Sequence, residues 1–331
     1  MKGAKVGKSL VTGGAGLIGS HLVKALLDEG REVVIVDDLS RGRRENLLRL
    51  GVRVAPIRLD LRDYRQVLQH MDGIEAVFHL AARVGSVESL HSTNMGELLS
   101  LQTNLVIDAN VFRAALHAGV RKLVYASSVS VYPMELQRSH GAVLKEDDLR
   151  FASPEGGYGW AKLMGETQLQ LVTGMAVGIA RLFNIYGECA EPEEDALVVP
   201  ALVRKAVLFP QEEFRVWGDG SQTRDLLHAA DAVEALIKLE EKASTPPVIV
   251  NIGSGEPMPV SVLTEKVVRH SGKDINPIYD PAMPVGAVAR VADISRARAI
   301  LGWNPKVSLD EGLERMFAHM ASPQSASEIV P

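Results

Sequence analysis

Tyr158 and Lys162 stand four residues apart in the segment YGWAK. On a helix that spacing puts both side chains on one face, with the ammonium close to the phenol. The combination bears on proton transfer. A free tyrosine titrates near ~10, and each unit of depression corresponds to about 1.4 kcal/mol of preferential stabilisation of the phenolate. A neighbouring cation supplies part of that stabilisation and makes Tyr158 a candidate general base. Taken alone, the pair reads better as an exposed aromatic and a solvated lysine, so the surrounding sequence has to decide.

A second chemical feature lies near the start. Thr12-Gly13-Gly14-Ala15-Gly16-Leu17-Ile18-Gly19 follows a short apolar run and leads directly into a helical pattern. In a strand-to-helix turn, Gly13 permits the tight bend, Gly16 lets the backbone approach a pyrophosphate, and Gly19 lets the helix pack on the sheet. A plain glycine turn is the competing reading, and the position after the first strand argues against it. The next apolar run ends in Asp37-Asp38, where a ribose-binding carboxylate is expected. Asp37 there would accept hydrogen bonds from the 2′-hydroxyl and repel a 2′-phosphate, favouring NAD over NADP. Arg41 and Arg43 nearby could instead accommodate a 2′-phosphate.

The elements that must position these groups are legible as an alternation. Short β-rich runs at residues 10–12, 32–36, 52–58, 76–80, 122–126 and 177–183 are separated by helical patterns, notably 17–29 before Gly30 and 98–117 before Gly119. This alternation predicts an α/β fold, a Rossmann-type doubly wound parallel sheet. Past Phe183 the alternation weakens into loops rich in Pro, Gly and acids, which predicts a smaller C-terminal α/β substrate lobe. The run 247–252 again reads as a buried strand. The expected division is a dinucleotide-binding domain over 1–185 that also receives approximately 226–255. A lobe over 186–225 and 256–320 and a disordered tail over 321–331 complete it.

Composition narrows the function classes. The 331 residues are 46% hydrophobic and carry a net charge of -5, enough apolar material for a sizeable core and no footprint for nucleic acid. Cys189 is the only cysteine, so an intrachain disulfide or cysteine-based metal site cannot form, and no metal is expected. Neither a signal h-region nor an apolar run of membrane-spanning length is present. A cytoplasmic protein without a membrane partner is expected.

These motifs together resemble the extended short-chain dehydrogenase/reductase family, which includes NAD-dependent nucleotide-sugar epimerases and dehydratases. The resemblance covers nearly the whole chain. It rests on TGGAGLIG, Asp60-Leu61, HLAA at 79–82, Asn104 in the long helix, YASSVSVY at 125–132, YGWAK at 158–162, RLFNIYG at 181–187 and WGDGSQTRD at 217–225. It implies that Gly13, Gly16, Leu17, Ile18, Gly19, Asp37, Asp60, Leu61, Leu80, Ala81, Ala82, Asn104, Tyr158 and Lys162 hold NAD. By the same resemblance, Ser128, Tyr158 and Lys162 are catalytic, Ser127 being the alternative to Ser128. Lys162 also binds the nicotinamide ribose, and His79 borders the cofactor with no proton transfer assigned to it. Ser128, Tyr158, Asn184, Arg224 and Arg290 are matched to the nucleoside-diphosphate sugar, the two arginines through bidentate bonds to phosphate oxygens. A homodimer through the helices over 98–117 and 158–172 is implied as well.

The resemblance also constrains the reaction. Related 4,6-dehydratases carry Asp-Glu where this chain has Val129-Ser130, and decarboxylases commonly carry Glu at the Ser130 position. Relatives of GDP-mannose 3,5-epimerase have a cysteine there and a lysine in the following loop, where this chain offers acids and Leu197. Serine is a poor acid/base compared with a thiol. NAD-dependent epimerisation at C4 through a transient keto-sugar is therefore the expected activity. A GDP-mannose 3,5-epimerase-like enzyme, a dehydratase and a reductase are the alternatives, and a non-catalytic NAD(P)-binding regulator is the alternative of another class. Retention of Ser128, Tyr158 and Lys162 argues for an enzyme.

Overall fold

The computed structural model describes residues 7–84, 94–150, 153–190 and 197–320. The polar tail past Met320 and the acidic stretch 191–196 lie outside the described residues.

Seven parallel strands form the main sheet. They are β1 (Lys8–Thr12), β2 (Val33–Asp37), β3 (Ile57–Arg58), β4 (Ile74–His79), β5 (Lys122–Ser128), β6 (Ala176–Leu182) and β7 (Val248–Ile252). Their spatial order is β7-β6-β5-β4-β1-β2-β3. The chain thus winds outward from β1 in one direction, returns, and winds outward from β4 in the other. Between β1 and β4 the direction of winding reverses, and in open parallel sheets the crevice at that reversal, beyond the carboxyl ends of the strands, receives the ligand. Helices cover both faces, so most central-strand residues are buried and the strands are nearly continuous apolar runs. One expectation is trimmed: of the run 52–58 only Ile57 and Arg58 pair, with Val36 and Asp37. Both are exposed on the outermost strand, which leaves little burial to order a longer ladder.

The helices that matter to the site are α1 (Leu17–Asp28), α2 (Asn94–His117) and α3 (Gly156–Gln170). Helix α1 is followed by Gly30 at φ 78°, and Gly119 follows α2 at φ 73°, as the sequence suggested. Helices α2 and α3 pack side by side.

After β6 the chain leaves the sheet, and strand β7 returns to it, in register from Val248↔Gly178 to Ile252↔Leu182. A separate core gathers Tyr186, Val203, Phe214, Leu263, Val267, Leu313 and neighbours. One portion of the segment expected in the lobe behaves differently. Ala297, Leu301 and the fully buried Trp303 join the main-sheet core beside Leu22, Val23 and Leu236. The Trp303 indole N–H donates to the Asp231 carbonyl at 3.1 Å.

Asp225 fastens three segments with its buried carboxylate. It accepts backbone N–H bonds from Ser254 at 2.5 Å and from Gly255 and Ala292 at 3.0 Å. Burial pushes its pKa up, against the lowering effect of those donors.

Trp303→Ala should lower unfolding stability by about 3–5 kcal/mol, the usual result of emptying a fully packed aromatic site. Urea denaturation measures this directly, and a loss under ~1 kcal/mol would contradict the packing of this residue into the main core.

Candidate active site

The turn between β1 and α1 is built around two positions that exclude a side chain. Gly13 has φ 67°, and a Cβ there would lie 2.9 Å from the Ala81 nitrogen. At Gly19 a Cβ would collide with the Gly13 carbonyl, so glycine is what lets α1 start directly over the bend. Gly16 is the N-cap of α1 and places no side-chain acceptor on the first-turn N–H groups. Those donors, at the positive end of the helix dipole, suit a pyrophosphate.

Asp37 sits at the end of β2, largely buried. Its Oδ2 accepts the Ala15 N–H and its Oδ1 the Leu39 N–H, each at 2.9 Å. Burial raises its pKa, opposed by these two backbone donors. The carboxylate is therefore locked to the glycine turn. Arg43 donates its backbone N–H to the Ala15 carbonyl, and the Arg41 guanidinium donates to the Val84 carbonyl at 2.8 Å.

The other proposed cofactor contacts fall around the same crevice. Leu17 and Ile18 open α1, and Leu80, Ala81 and Ala82 leave the end of β4. Asn104 on α2 clamps that segment by accepting the Arg83 N–H at 2.7 Å and donating to the Arg83 carbonyl at 3.0 Å. Leu61 is buried, whereas Asp60 is half-buried and held through both carboxylate oxygens by Arg62.

Ser128 ends β5 and caps a 3₁₀ turn, Val129–Val131, by accepting the Ser130 N–H at 3.1 Å. Its hydroxyl proton remains available to the Tyr158 phenol, whose ionised form it stabilises. Ser127 points the other way and donates to buried Glu166 at 2.5 Å. The structure thus separates the two serines: Ser128 meets Tyr158, and Ser127 belongs to the interior.

Tyr158 and Lys162 occupy adjacent turns of α3. The Lys162 Nζ lies 5.9 Å from the Tyr158 ring centroid and 4.5 Å from that of Tyr125. Burial pushes the Tyr158 phenol above its ordinary value, and only the Ser128 contact opposes this. Burial likewise lowers the Lys162 pKa, while Asp108 and Glu166 raise it. Within the chain alone, burial thus works against ionisation of Tyr158, and the opposing contribution expected from sequence comes from Lys162 and bound NAD together.

The remaining candidates line the side facing the small lobe. Asn184, at the unusual φ of 34°, donates its side-chain amide to the Asp225 carbonyl at 2.8 Å. Arg224 donates to the carbonyls of Thr223, Val285 and Ala287. Burial, followed by repulsion from Arg290, lowers its pKa to about 10. Arg290 donates to Gln137 at 2.7 Å and pairs with Glu155 at 2.5 Å.

Glu155 was not singled out in the sequence, although it precedes Tyr158 by only three residues. Its carboxylate also accepts the Ser130 hydroxyl at 3.3 Å, and its N–H donates to the Ser130 carbonyl at 2.9 Å. A carboxylate thus reaches the very serine that seemed to lack an acidic companion, but it is engaged by Arg290. Asp108 is a second omission, one helical turn beyond Asn104. It accepts from His79 at 3.0 Å and from the Tyr125 hydroxyl at 2.6 Å.

A parallel sheet with a glycine phosphate turn, a fixed ribose acid and a Ser-Tyr-Lys group defines a dinucleotide-dependent enzyme of the short-chain dehydrogenase class. The family model described as the NAD dependent epimerase/dehydratase family matches residues 9–253, and the chain belongs to that family. It is 29% identical over 307 residues to GDP-mannose 3,5-epimerase 1 of Oryza sativa subsp. japonica, covering 92% of this chain and 79% of that protein. It is 30% identical over 318 residues to a putative UDP-glucose 4-epimerase of Methanocaldococcus jannaschii, covering 94% and 97% respectively. The structure of the Thermus thermophilus UDP-glucose 4-epimerase, a complex with NAD, superposes with a TM-score of 0.82 at 28% identity. That match covers 96% of this chain and 99% of the other.

In the protein free of cofactor, Tyr158 should ionise above the ordinary tyrosine value near ~10. An ultraviolet pH titration of the native protein minus that of Tyr158→Phe should show no phenolate step below that pH. A step near neutrality would contradict the analysis of this site.

Proposed function

We propose that the chain catalyses NAD-dependent epimerisation of a nucleoside-diphosphate sugar at C4, through a transient keto-sugar. The observation that carries this reading is the Ser128-Tyr158-Lys162 group, with Ser128 at the carboxyl end of β5 and Tyr158 and Lys162 on α3, in the same fold whose β1 runs into the glycine turn. Gly13, Gly16 and Gly19 fit a pyrophosphate, since side chains there would strike the backbone or fill the approach. Asp37 fits a 2′-hydroxyl. When bound, NAD supplies the acceptor and returner of the sugar's hydride and a positive ring beside the phenol.

The chain's own residues do the rest. Tyr158 takes the proton of the C4 hydroxyl and later gives it back, Ser128 hydrogen-bonds the reacting oxygen, and Lys162 adds charge and holds the nicotinamide ribose. Arg224 and Arg290 bind the diphosphate. Arg290 must exchange Glu155 for phosphate as the substrate enters, so Glu155 keeps that site neutral until then. Asn184, fixed to the Asp225 carbonyl, borders the sugar.

A second reading has one specific observation behind it. Glu155 against Ser130 is a carboxylate-hydroxyl pair that could move protons at the carbons flanking a keto group, as 3,5-epimerisation demands. We favour 4-epimerisation because the chain has neither the cysteine at position 130 nor the lysine in the following loop described above.

We further propose a homodimer through α2 and α3. Met95, Leu98, Leu99 and Val106 on α2 are exposed at helical spacing, as are Trp160 and Met164 on α3, with exposed Leu171 just past its end. Two such faces could bury each other in an isologous four-helix interface. No described helix is long and apolar enough to cross a membrane, and a cytoplasmic setting accords with nucleotide-sugar chemistry.

With a panel of UDP-, GDP-, CDP- and dTDP-sugars, product analysis by NMR should reveal a C4 epimer from at least one donor. Tyr158→Phe should cut kcat by roughly 10²–10⁴ with NAD affinity nearly unchanged. Near-normal turnover in that variant would rule out the proposed base. Calorimetric titration should find NAD bound more tightly than NADP, and Asp37→Ala should narrow the gap; equal affinities in the native protein would reject Asp37 as the selector.

A further inference from the structure

The buried charges beneath the Ser-Tyr-Lys group can be paired off one by one. Glu166, fully buried on α3, is committed to Arg181 of β6 through contacts of 2.7 and 3.0 Å, and it also accepts the Ser127 hydroxyl. That anion and that cation cancel. Two charged side chains remain in the same region: Lys162 on α3, 1% exposed, and Asp108 on α2, fully buried.

The hydrogen bonds around Asp108 fix the state of its neighbours. The Thr12 hydroxyl oxygen accepts the N–H groups of Leu80 and Ala81, both at 3.2 Å. Its proton is therefore directed to the His79 Nδ1, 2.7 Å away. His79 must then carry its own proton on Nε2 and donate it to Asp108 Oδ1. Burial also lowers the His79 pKa, which keeps the ring neutral. The Tyr125 hydroxyl donates to Asp108 Oδ2, and burial together with Asp108 keeps that phenol protonated. Both carboxylate oxygens are thus capped by neutral donors, and its charge is left to be balanced.

Lys162 is the cation available to balance it. Its ammonium lies over the ring of Tyr125, whose hydroxyl rests on Asp108. Gly165 makes the approach of α3 possible, since a Cβ there would collide with the Tyr125 hydroxyl and press on Asp108 at 2.8 Å. We propose that Asp108 is the buried counter-ion of Lys162, acting across Tyr125 as a positioning residue that keeps the ammonium charged beside Tyr158. Such a pair stabilises each partner only while the other is present. The arrangement also reaches the phosphate-binding turn, because Thr12 immediately precedes Gly13.

This inference rests on the assignment of Tyr158 and Lys162 to proton handling, but its first test does not. In a double-mutant cycle followed by thermal unfolding, Asp108→Asn leaves a buried cation uncompensated and Lys162→Met leaves a buried anion. Each single variant should melt below the native protein, and the neutral double variant should melt above both. A double variant that melts below either single, or fails to fold, overturns the pairing. If a single variant fails to fold while the double folds, the pairing is supported.

The second test reads catalysis. Removing the anion should release the Lys162 proton at lower pH and ease ionisation of Tyr158. Both limbs of the kcat/KM profile of Asp108→Asn should then move down by about 1 pH unit. The charged or titratable neighbours that shape these limbs are His79, Tyr125, Glu166 and Arg181. Unmoved limbs with a merely lowered plateau would mean that Asp108 is structural only. If Lys162→Met retains full turnover while the melting cycle holds, the catalytic assignment fails and the ion pair stands.

Discussion

An ammonium buried at the centre of a protein dictates much of what surrounds it. Taking the Lys162 charge out of water is costly unless anions and polar contacts replace the lost hydration. Around it the fold supplies the face of Tyr125, the carboxylate of Asp108 and, farther along α3, Glu166, which Arg181 already neutralises. These groups come from three different elements of the fold. Helix α2 brings Asp108, strand β5 brings Tyr125, and α3 brings Lys162 itself, so helix packing and ion placement are one problem. The absence of a side chain at Gly165 is part of the same solution.

The outer boundary of the site follows from the sheet. Winding in two directions from the centre leaves the carboxyl ends of β1 and β4 without a crossing connection, and the glycine turn opens there. Gly13 and Ala81 approach so closely that the two strand ends act as one wall. Asp37 is tied to that wall through the Ala15 N–H, so the carboxylate proposed to select the cofactor and the turn proposed for its phosphates are mechanically coupled. On the opposite side, Asp225 binds the segments at 254–255 and 292 to the short strand, Thr223–Arg224, that carries Arg224. The groups proposed for the diphosphate are thereby held in fixed relation to the Ser-Tyr-Lys group.

The main strands, the turn and the Tyr-Lys spacing were legible because each leaves a local trace. Apolar runs mark buried parallel strands, and four-residue spacing marks a shared helix face. Even the return of residues 247–252 to the sheet could be read from their continuous apolar character. What escaped depends on contacts between distant segments. Glu155 looked like an ordinary residue ahead of a helix until Arg290, from far along the chain, met it. Asp108 looked like a polar residue on a long helix, although its spacing from Asn104 did place both on one face. The burial that raises the Tyr158 pKa was likewise invisible to spacing. Trp303 could not be assigned to a core because its partners lie in α1 and in the segment around Leu236.

The proposed reaction needs one proton acceptor at the sugar hydroxyl and no exchange at the neighbouring carbons. It can be observed directly by running the reaction in deuterium oxide with the cognate nucleotide sugar, then analysing the product by mass spectrometry and NMR. In a direct 4-epimerisation the carbon-bound hydrogen leaves and returns without meeting solvent, so the sugar carbons should acquire essentially no deuterium. Deuterium at C3 or C5 would contradict the account and identify the Glu155-Ser130 pair as an acid/base for 3,5-epimerisation.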